Sequence, residues 1–249
     1  FYRMDQSMVS DYPLVDISQR VALLDNIKYP MAGMISHKVT IGVYNIATGK
    51  TVYLRAGDPT DRYFTNIAWS PDESKIYVIE LNRDQNHSQL VRYDAGSGER
   101  ETVLLEETHP KYVEPMYPIL FVKGNDKQFI YQSQRNGFNH LYLYDTDGKL
   151  VKQLTSGNWL VQNILGFDKD GKNLFFMSTE KSPMESHLYK VNLKSGKRTL
   201  ITSQAGMHDV LVSASGAYAI DKYSSANIPR VIDIVDTNKG KVMQNLLTA

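Results

Sequence analysis

The chain has 249 residues, 42% of them hydrophobic, and 28 Lys and Arg against 27 Asp and Glu, for a formal net charge of +1. So even a balance gives no electrostatic footing for a nucleic acid or an anionic membrane as partner, and no apolar run approaches the ~18 residues that span a bilayer. Cys is absent, which excludes disulfides and thiolate zinc sites, whereas 16 Tyr suit half-buried sheet surfaces.

The opening Phe1-Tyr2-Arg3-Met4 shows no signal-peptide pattern and reads like mid-domain sequence. Residues 1–54 start with a strand-like segment and pass through a long loop marked by Tyr12-Pro13, Tyr29-Pro30 and Ala32-Gly33. They end in a hairpin, VTIGVYNIATGKTVYL from Val39. That hairpin recurs from Gln89, His140, His187 and Arg230. Its turn glycines, Gly49, Gly98, Gly148, Gly196 and Gly240, follow one another at intervals of 49, 50, 48 and 44 residues. Each lies three or four residues after an Asp or Asn. Gly accepts the positive φ of such turns and the Asx side chain caps them locally. A second hairpin precedes four of the five, in IAWSPDESKIYVIE, LFVKGNDKQFIYQS, LGFDKDGKNLFFMS and LVSASGAYAIDKY.

One repeat is therefore strand, polar turn, strand, loop, strand, glycine turn, strand. Four strands every ~45 residues is the signature of β-propeller blades, and a sandwich would not repeat so regularly. The expectation is an all-β, partial β-propeller of four-stranded antiparallel blades. Complete blades are expected at 63–107, 113–158, 161–206 and 208–249, with an incomplete one at 1–54 that lacks its first strand. The final QNLLTA already serves as a last strand, so no strand is left to close a five-blade ring, and the chain reads as part of a larger propeller. An open blade stack exposes sheet edges and apolar faces, which favours self-association.

Local signatures of chemistry are missing. There is no Gly-x-Ser-x-Gly elbow, no phosphate-binding loop and no paired-histidine metal motif, so no catalytic residue, metal ligand or cofactor is expected. His140 and His187 occupy the same repeat position before Leu-Tyr, which points to a structural role at the start of the third strand of a blade. Asp72-Glu73 and Glu106-Glu107 read as solvated surface, and Asp168, Asp170 and Gly171 as a propeller turn. The unusual segment is HPKYVEPMYP, His109 to Pro118, whose prolines interrupt the strand pattern where a blade should begin. Either Tyr112, Met116 and Tyr117 fill the seam between blades, or Tyr112 and Glu114 face the central tunnel and touch a ligand.

Four stretches then carry a family: WSPDESKIYVIELNRDQN, SQRNGFNHLYLYD, LTSGNWLV and YKVNLKSGKRTLIT resemble the propeller of dipeptidyl peptidase IV-type serine exopeptidases. In that family a Ser-x-Arg-(Asp/Asn)-Gly-(Phe/Tyr)-Asn-His-Leu-Tyr run precedes Thr-x-Gly-x-Trp-Glu-Val. Here Leu160 replaces the usual acidic residue. The opening residues, YPMAG and HPKYVEP are most similar to the bacterial prolyl tripeptidyl peptidase branch.

The resemblance implies an eight-bladed N-terminal propeller capping a C-terminal α/β-hydrolase domain that carries the Ser, Asp and His. It further implies peptide substrates with proline in the penultimate or third position, a homodimeric parent, and a periplasmic or cell-surface location. The propeller would gate substrate and hold its free N-terminal amine, and this stretch by itself would be inactive. The family's amine-binding Asp-Trp-Val-Tyr-Glu-Glu-Glu motif does not occur here, so Tyr112 and Glu114 are the residues nominated to meet substrate. A non-enzymatic propeller of the TolB or WD-like type, acting as a protein-binding scaffold, is the alternative. WSPDESKIY fits both, whereas SQRNGFNHLYLYD together with TSGNWLV favours the peptidase.

Overall fold

The computed structural model describes residues 1–249 as twenty-one β-strands with no helix. They fall into two compact units, Phe1–Glu114 and Pro115–Ala249.

The first unit contains β1 (Tyr2–Asp5), β2 (Asp11–Asp16), β3 (Leu23–Lys28), β4 (Lys38–Asn45) and β5 (Lys50–Tyr53). It continues with β6 (Arg62–Trp69), β7 (Lys75–Asn82), β8 (His87–Asp94) and β9 (Arg100–Thr108). Strands β6 to β9 form a four-stranded meander in chain order, whereas β1, β4 and β5 make a three-stranded sheet in that order. The expected long loop of residues 10–30 is in fact a separate antiparallel hairpin, β2–β3, in which Pro13 stands opposite Asn26. Pro cannot donate to a ladder, but a two-stranded ribbon leaves every strand with an outer edge, so it is tolerated there.

The second unit contains β10 (Leu120–Val122), β11 (Asn125–Ser133), β12 (His140–Asp145) and β13 (Leu150–Gln153), then β14 (Val161–Phe167), β15 (Asn173–Ser178), β16 (His187–Asn192) and β17 (Arg198–Leu200). It ends with β18 (Met207–Val212), β19 (Tyr218–Ser225), β20 (Ile228–Asp236) and β21 (Lys241–Thr248). These make three four-stranded antiparallel sheets, each in chain order. The protein is all-β, a partial β-propeller whose blades are these meanders.

The glycine turns close as their residue types require. The N–H groups of Gly49, Gly98, Gly196 and Gly240 donate to the carbonyls of Asn45, Asp94, Asn192 and Asp236 at 2.7–2.9 Å. The Asx side chain accepts from the turn as well, as at Thr48 N–H to Asn45 Oδ1, 2.9 Å. Gly98 has a second reason to be glycine: its φ is +76°, and a Cβ there would lie 2.2 Å from the Tyr53 carbonyl oxygen. The β8–β9 turn thus rests directly on the backbone of β5.

The cores lie between sheets. Ile41 and Leu54 pack with Phe64, Ile76, Val78 and Tyr93 in the first unit. In the second unit, Leu141 and Leu143 meet Leu174 and Phe176. The opposite face of β15, Phe175 and Met177, meets Val210, Ala219 and Val235. Where a blade is packed on both sides, as β14–β17 is, its second and third strands are covered on both faces and read as near-continuous apolar runs. The outer strands are less covered, and β21 is exposed throughout.

Candidate functional site

The proline-broken segment is shaped by its histidine and its lack of donors. Pro110, Pro115 and Pro118 cannot extend a ladder, so the chain leaves the sheet after β9. His109 donates its N–H to the Asn86 carbonyl at 3.0 Å, and Val113 donates to the Gln85 carbonyl at 2.7 Å, which fastens the segment to the β7–β8 turn. The Nδ1 of His109 accepts the N–H groups of Lys111 and Tyr112 at 3.1 and 3.2 Å. Its ring meets the Tyr112 ring edge-on, with centroids 6.1 Å apart. This local turn holds Tyr112 outward at 57% exposure, with Glu114 also exposed.

Tyr112 and Met116 are both largely exposed. Within the second unit, half-buried Tyr117 bridges to β14: its hydroxyl donates to the Gln162 carbonyl at 2.8 Å and meets Asn163 Oδ1 at 2.9 Å. A phenol and a carboxylate on a loop pinned at its base can meet a ligand with a hydrogen bond and a negative charge.

The turn between β11 and β12 is built around Arg135. Its guanidinium lies 4.3 Å from the Tyr142 ring centroid, 5.7 Å from that of Tyr144 and 5.9 Å from that of Tyr131. It donates to Ser133 Oγ at 2.9 Å and to the Tyr144 hydroxyl at 2.7 Å. Downstream, buried His140 has Thr155 Oγ1 on Nδ1 at 3.1 Å and the Gly157 carbonyl on Nε2 at 2.9 Å. Since Thr155 Oγ1 accepts the Leu141 N–H, its own proton is free to go to the imidazole, and a neutral ring satisfies both sides. Burial, foremost, lowers the His140 pKa below the usual histidine value. Trp159 stands edge-on to His140 at 4.8 Å and lies under the Arg198 guanidinium of the next sheet at 5.4 Å. Ser133, Arg135, His140, Thr155, Gly157 and Trp159 therefore brace the blade and its neighbour. His187 repeats the pattern with Thr202, whose hydroxyl also accepts the Leu188 N–H.

Two buried polar clusters escaped the sequence reading. Glu80, 5% exposed, pairs with Arg62 and Arg100 and accepts the Tyr93 hydroxyl. Burial, then that carboxylate, pushes the Tyr93 pKa upward. His208 places Nδ1 between the carboxylate oxygens of Asp221 at 2.8 and 2.9 Å, with Nε2 on the Gln204 carbonyl. In both clusters the carboxylate already has its partners, so neither is spare for a ligand. Asp72, expected to be solvated, is exposed and also caps its turn. Ser70, foremost, and Ser74 hydrogen-bond its carboxylate and bring its pKa down to about 2. Glu106 is exposed and pairs with His87. No three of His, Asp and Glu gather where they could hold a metal ion.

The family model described as the dipeptidyl peptidase IV (DPP IV) N-terminal region matches residues 1–230. The protein named "Probable dipeptidyl peptidase 4" of Aspergillus flavus is 26% identical over 235 residues, covering 88% of this chain and 30% of its own length. The crystal structure of a dipeptidyl aminopeptidase IV candidate from Bacteroides ovatus superposes with a TM-score of 0.93 at 51% identity, over 100% of this chain and 38% of that one. That of Porphyromonas gingivalis dipeptidyl peptidase 4 gives 0.87 at 30% identity, over 99% of this chain and 35% of that one. The chain thus spans about a third of the length of these relatives. It belongs to the dipeptidyl peptidase IV N-terminal region family.

Proposed function

We propose that the chain is the substrate-gating, N-terminus-recognising propeller region of a proline-specific serine exopeptidase that releases short peptides after proline. The observation that carries this is the family match over residues 1–230. In this reading the meanders within 63–107, 113–158, 161–206 and 208–249 are blades of a larger ring. A hydrolase domain of the same polypeptide supplies the nucleophile, base and oxyanion hole that amide hydrolysis needs. The propeller's part is selection: a carboxylate lining a narrow cavity pairs with the substrate ammonium, and binding energy away from the reacting carbonyl improves positioning there. Tyr112 and Glu114 are the residues proposed to meet substrate, supported by their exposure on an anchored loop.

The parent acts as a homodimer in the periplasm or at the cell surface. Self-association is supported by the β2–β3 hairpin, which exposes Leu14, Val15, Leu23 and Leu24.

The test is hydrolysis of Ala-Ala-Pro and Gly-Pro chromogenic substrates by the full-length protein, side by side. Cleavage of at least one is expected, with KM raised about tenfold by Glu114→Gln while kcat changes less. Cleavage of neither substrate sinks the peptidase reading. An unchanged KM removes Glu114 from the site while leaving that reading intact.

A further inference from the structure

Within the second unit, the sheets β10–β13 and β14–β17 leave a groove of about 640 Å3 at the end carrying the β10–β11, β14–β15 and β16–β17 turns. Its floor includes buried Val122 and Leu143. Four lysines line it, Lys123, Lys152, Lys172 and Lys194, against a single carboxylate, Asp170. In a chain whose charges otherwise balance, this is a local excess of cations. None of the four forms an ion pair.

The nearby carboxylate of Asp168 is already committed. It accepts the N–H groups of Lys172 and Asn173 at 2.8 and 3.2 Å and the Asn173 amide at 2.6 Å. Lys152 donates Nζ to the Lys194 carbonyl at 2.7 Å, which lays one positive charge across from the first sheet to the second.

The walls are preformed. Gly171, at φ +67°, sits so close to the preceding sheet that a Cβ would lie 2.0 Å from the Lys123 carbonyl oxygen. Asn192 Nδ2 donates to the Lys172 carbonyl at 3.3 Å and to Asn173 Oδ1 at 3.1 Å. Four lysines from four separate segments therefore line a cleft whose backbone walls are already in place. Such a cleft, with low-dielectric walls and one sign of charge, focuses field lines and concentrates counter-ions.

We infer that this groove binds an oligoanion, a short chain of phosphate or sulfate groups. Charge spread over four lysines matches a ligand whose own charges are spread, and the volume far exceeds that of one inorganic ion. Lys, a compact point charge on a flexible stem, suits such groups without demanding one geometry. The groove has no aromatic side chain, so it lacks the stacking platform of a single-stranded nucleic-acid site. It also lies at the opposite end of the strands from the Arg135 turn, so filling it leaves that end open.

The experiment is calorimetric titration of the full-length protein with tripolyphosphate and, separately, with a sulfated heparin hexasaccharide. At least one is expected to bind at low salt, and the arm that binds identifies phosphate or sulfate as the group read. Binding should weaken about tenfold or more between 50 and 300 mM NaCl, and by a similar factor in a Lys172→Gln/Lys194→Gln double variant whose melting curve is unchanged. Lys239→Gln, outside the groove, should bind as the parent does. The inference is overturned if neither anion binds or if the double variant binds as tightly as the parent. Because the readout is binding, failure here leaves the peptidase reading untouched.

Discussion

Strands β15 and β19 occupy the same place in successive blades of the second unit, yet they are buried differently. In β15 every residue from Leu174 to Ser178 is buried. In β19, exposed Tyr218, Ile220 and Lys222 alternate with buried Ala219, Asp221 and Tyr223. Both strands are pleated alike, so side chains alternate between faces in each. The difference is that β15 has a packed sheet on either side, Leu174 and Phe176 toward one and Phe175 and Met177 toward the other. The apolar run NLFFMS and the alternating YAIDKYS thus encode how many neighbours a blade has within the unit, not different strand types.

Substitutions on β15 test this hardest. Phe176→Ala and Phe175→Ala remove fully buried rings from opposite faces, and each should cost about 3–5 kcal/mol in a urea titration. A large cost for one and a small cost for the other would mean that only one face is a true core.

A smaller effect is expected from acid at His140, which shares the buried seam between β10–β13 and β14–β17 through Trp159. Its folded pKa lies below the unfolded value of about 6.5, so the neutral ring belongs to the folded state. The stability tied to that neutral ring is present above about pH 6.5 and is lost as pH falls from there through the folded value. Urea midpoints at pH 7.5 and 5.5 should therefore differ less in His140→Gln than in the parent chain, and an equal difference would remove His140 from the acid response. The smallest effect is on the open face of β19: Ile220→Ser should stay within about 0.5 kcal/mol. A cost approaching that of Phe176→Ala would show that this face is covered in solution and would dissolve the contrast with β15.

Most of the architecture is legible in the sequence because each blade repeats its own turn chemistry. Asn45, Asp94, Asp145, Asn192 and Asp236 all accept hydrogen bonds from the glycine turn that follows. The β2–β3 hairpin was not legible, because Pro13 speaks against a strand and is accommodated only on an unpaired edge, which this ribbon supplies.

The candidate site was half visible. Its prolines marked residues 109–118 as irregular, but the exposure of Tyr112 depends on His109 folding the backbone onto its own ring. Clusters such as Arg135 with three tyrosines, or Asp221 with His208, need strand register before they can be seen. His208 stands opposite Tyr223 in the β18–β19 pairing, which brings Asp221, two residues along on the same face, within reach of its ring.

The order of strands within the sheets also bears on how the chain acquires its structure. Every four-stranded sheet pairs neighbours in chain order, so its contacts close short loops and form quickly, one meander after another as the polypeptide emerges. The three-stranded sheet is the exception. Arg3 pairs with Thr40, and the whole β2–β3 ribbon lies between them. That closure must wait for a much longer segment, so within its own sheet β1 is the strand expected to dock last and to detach first when hydrogen exchange reports local opening.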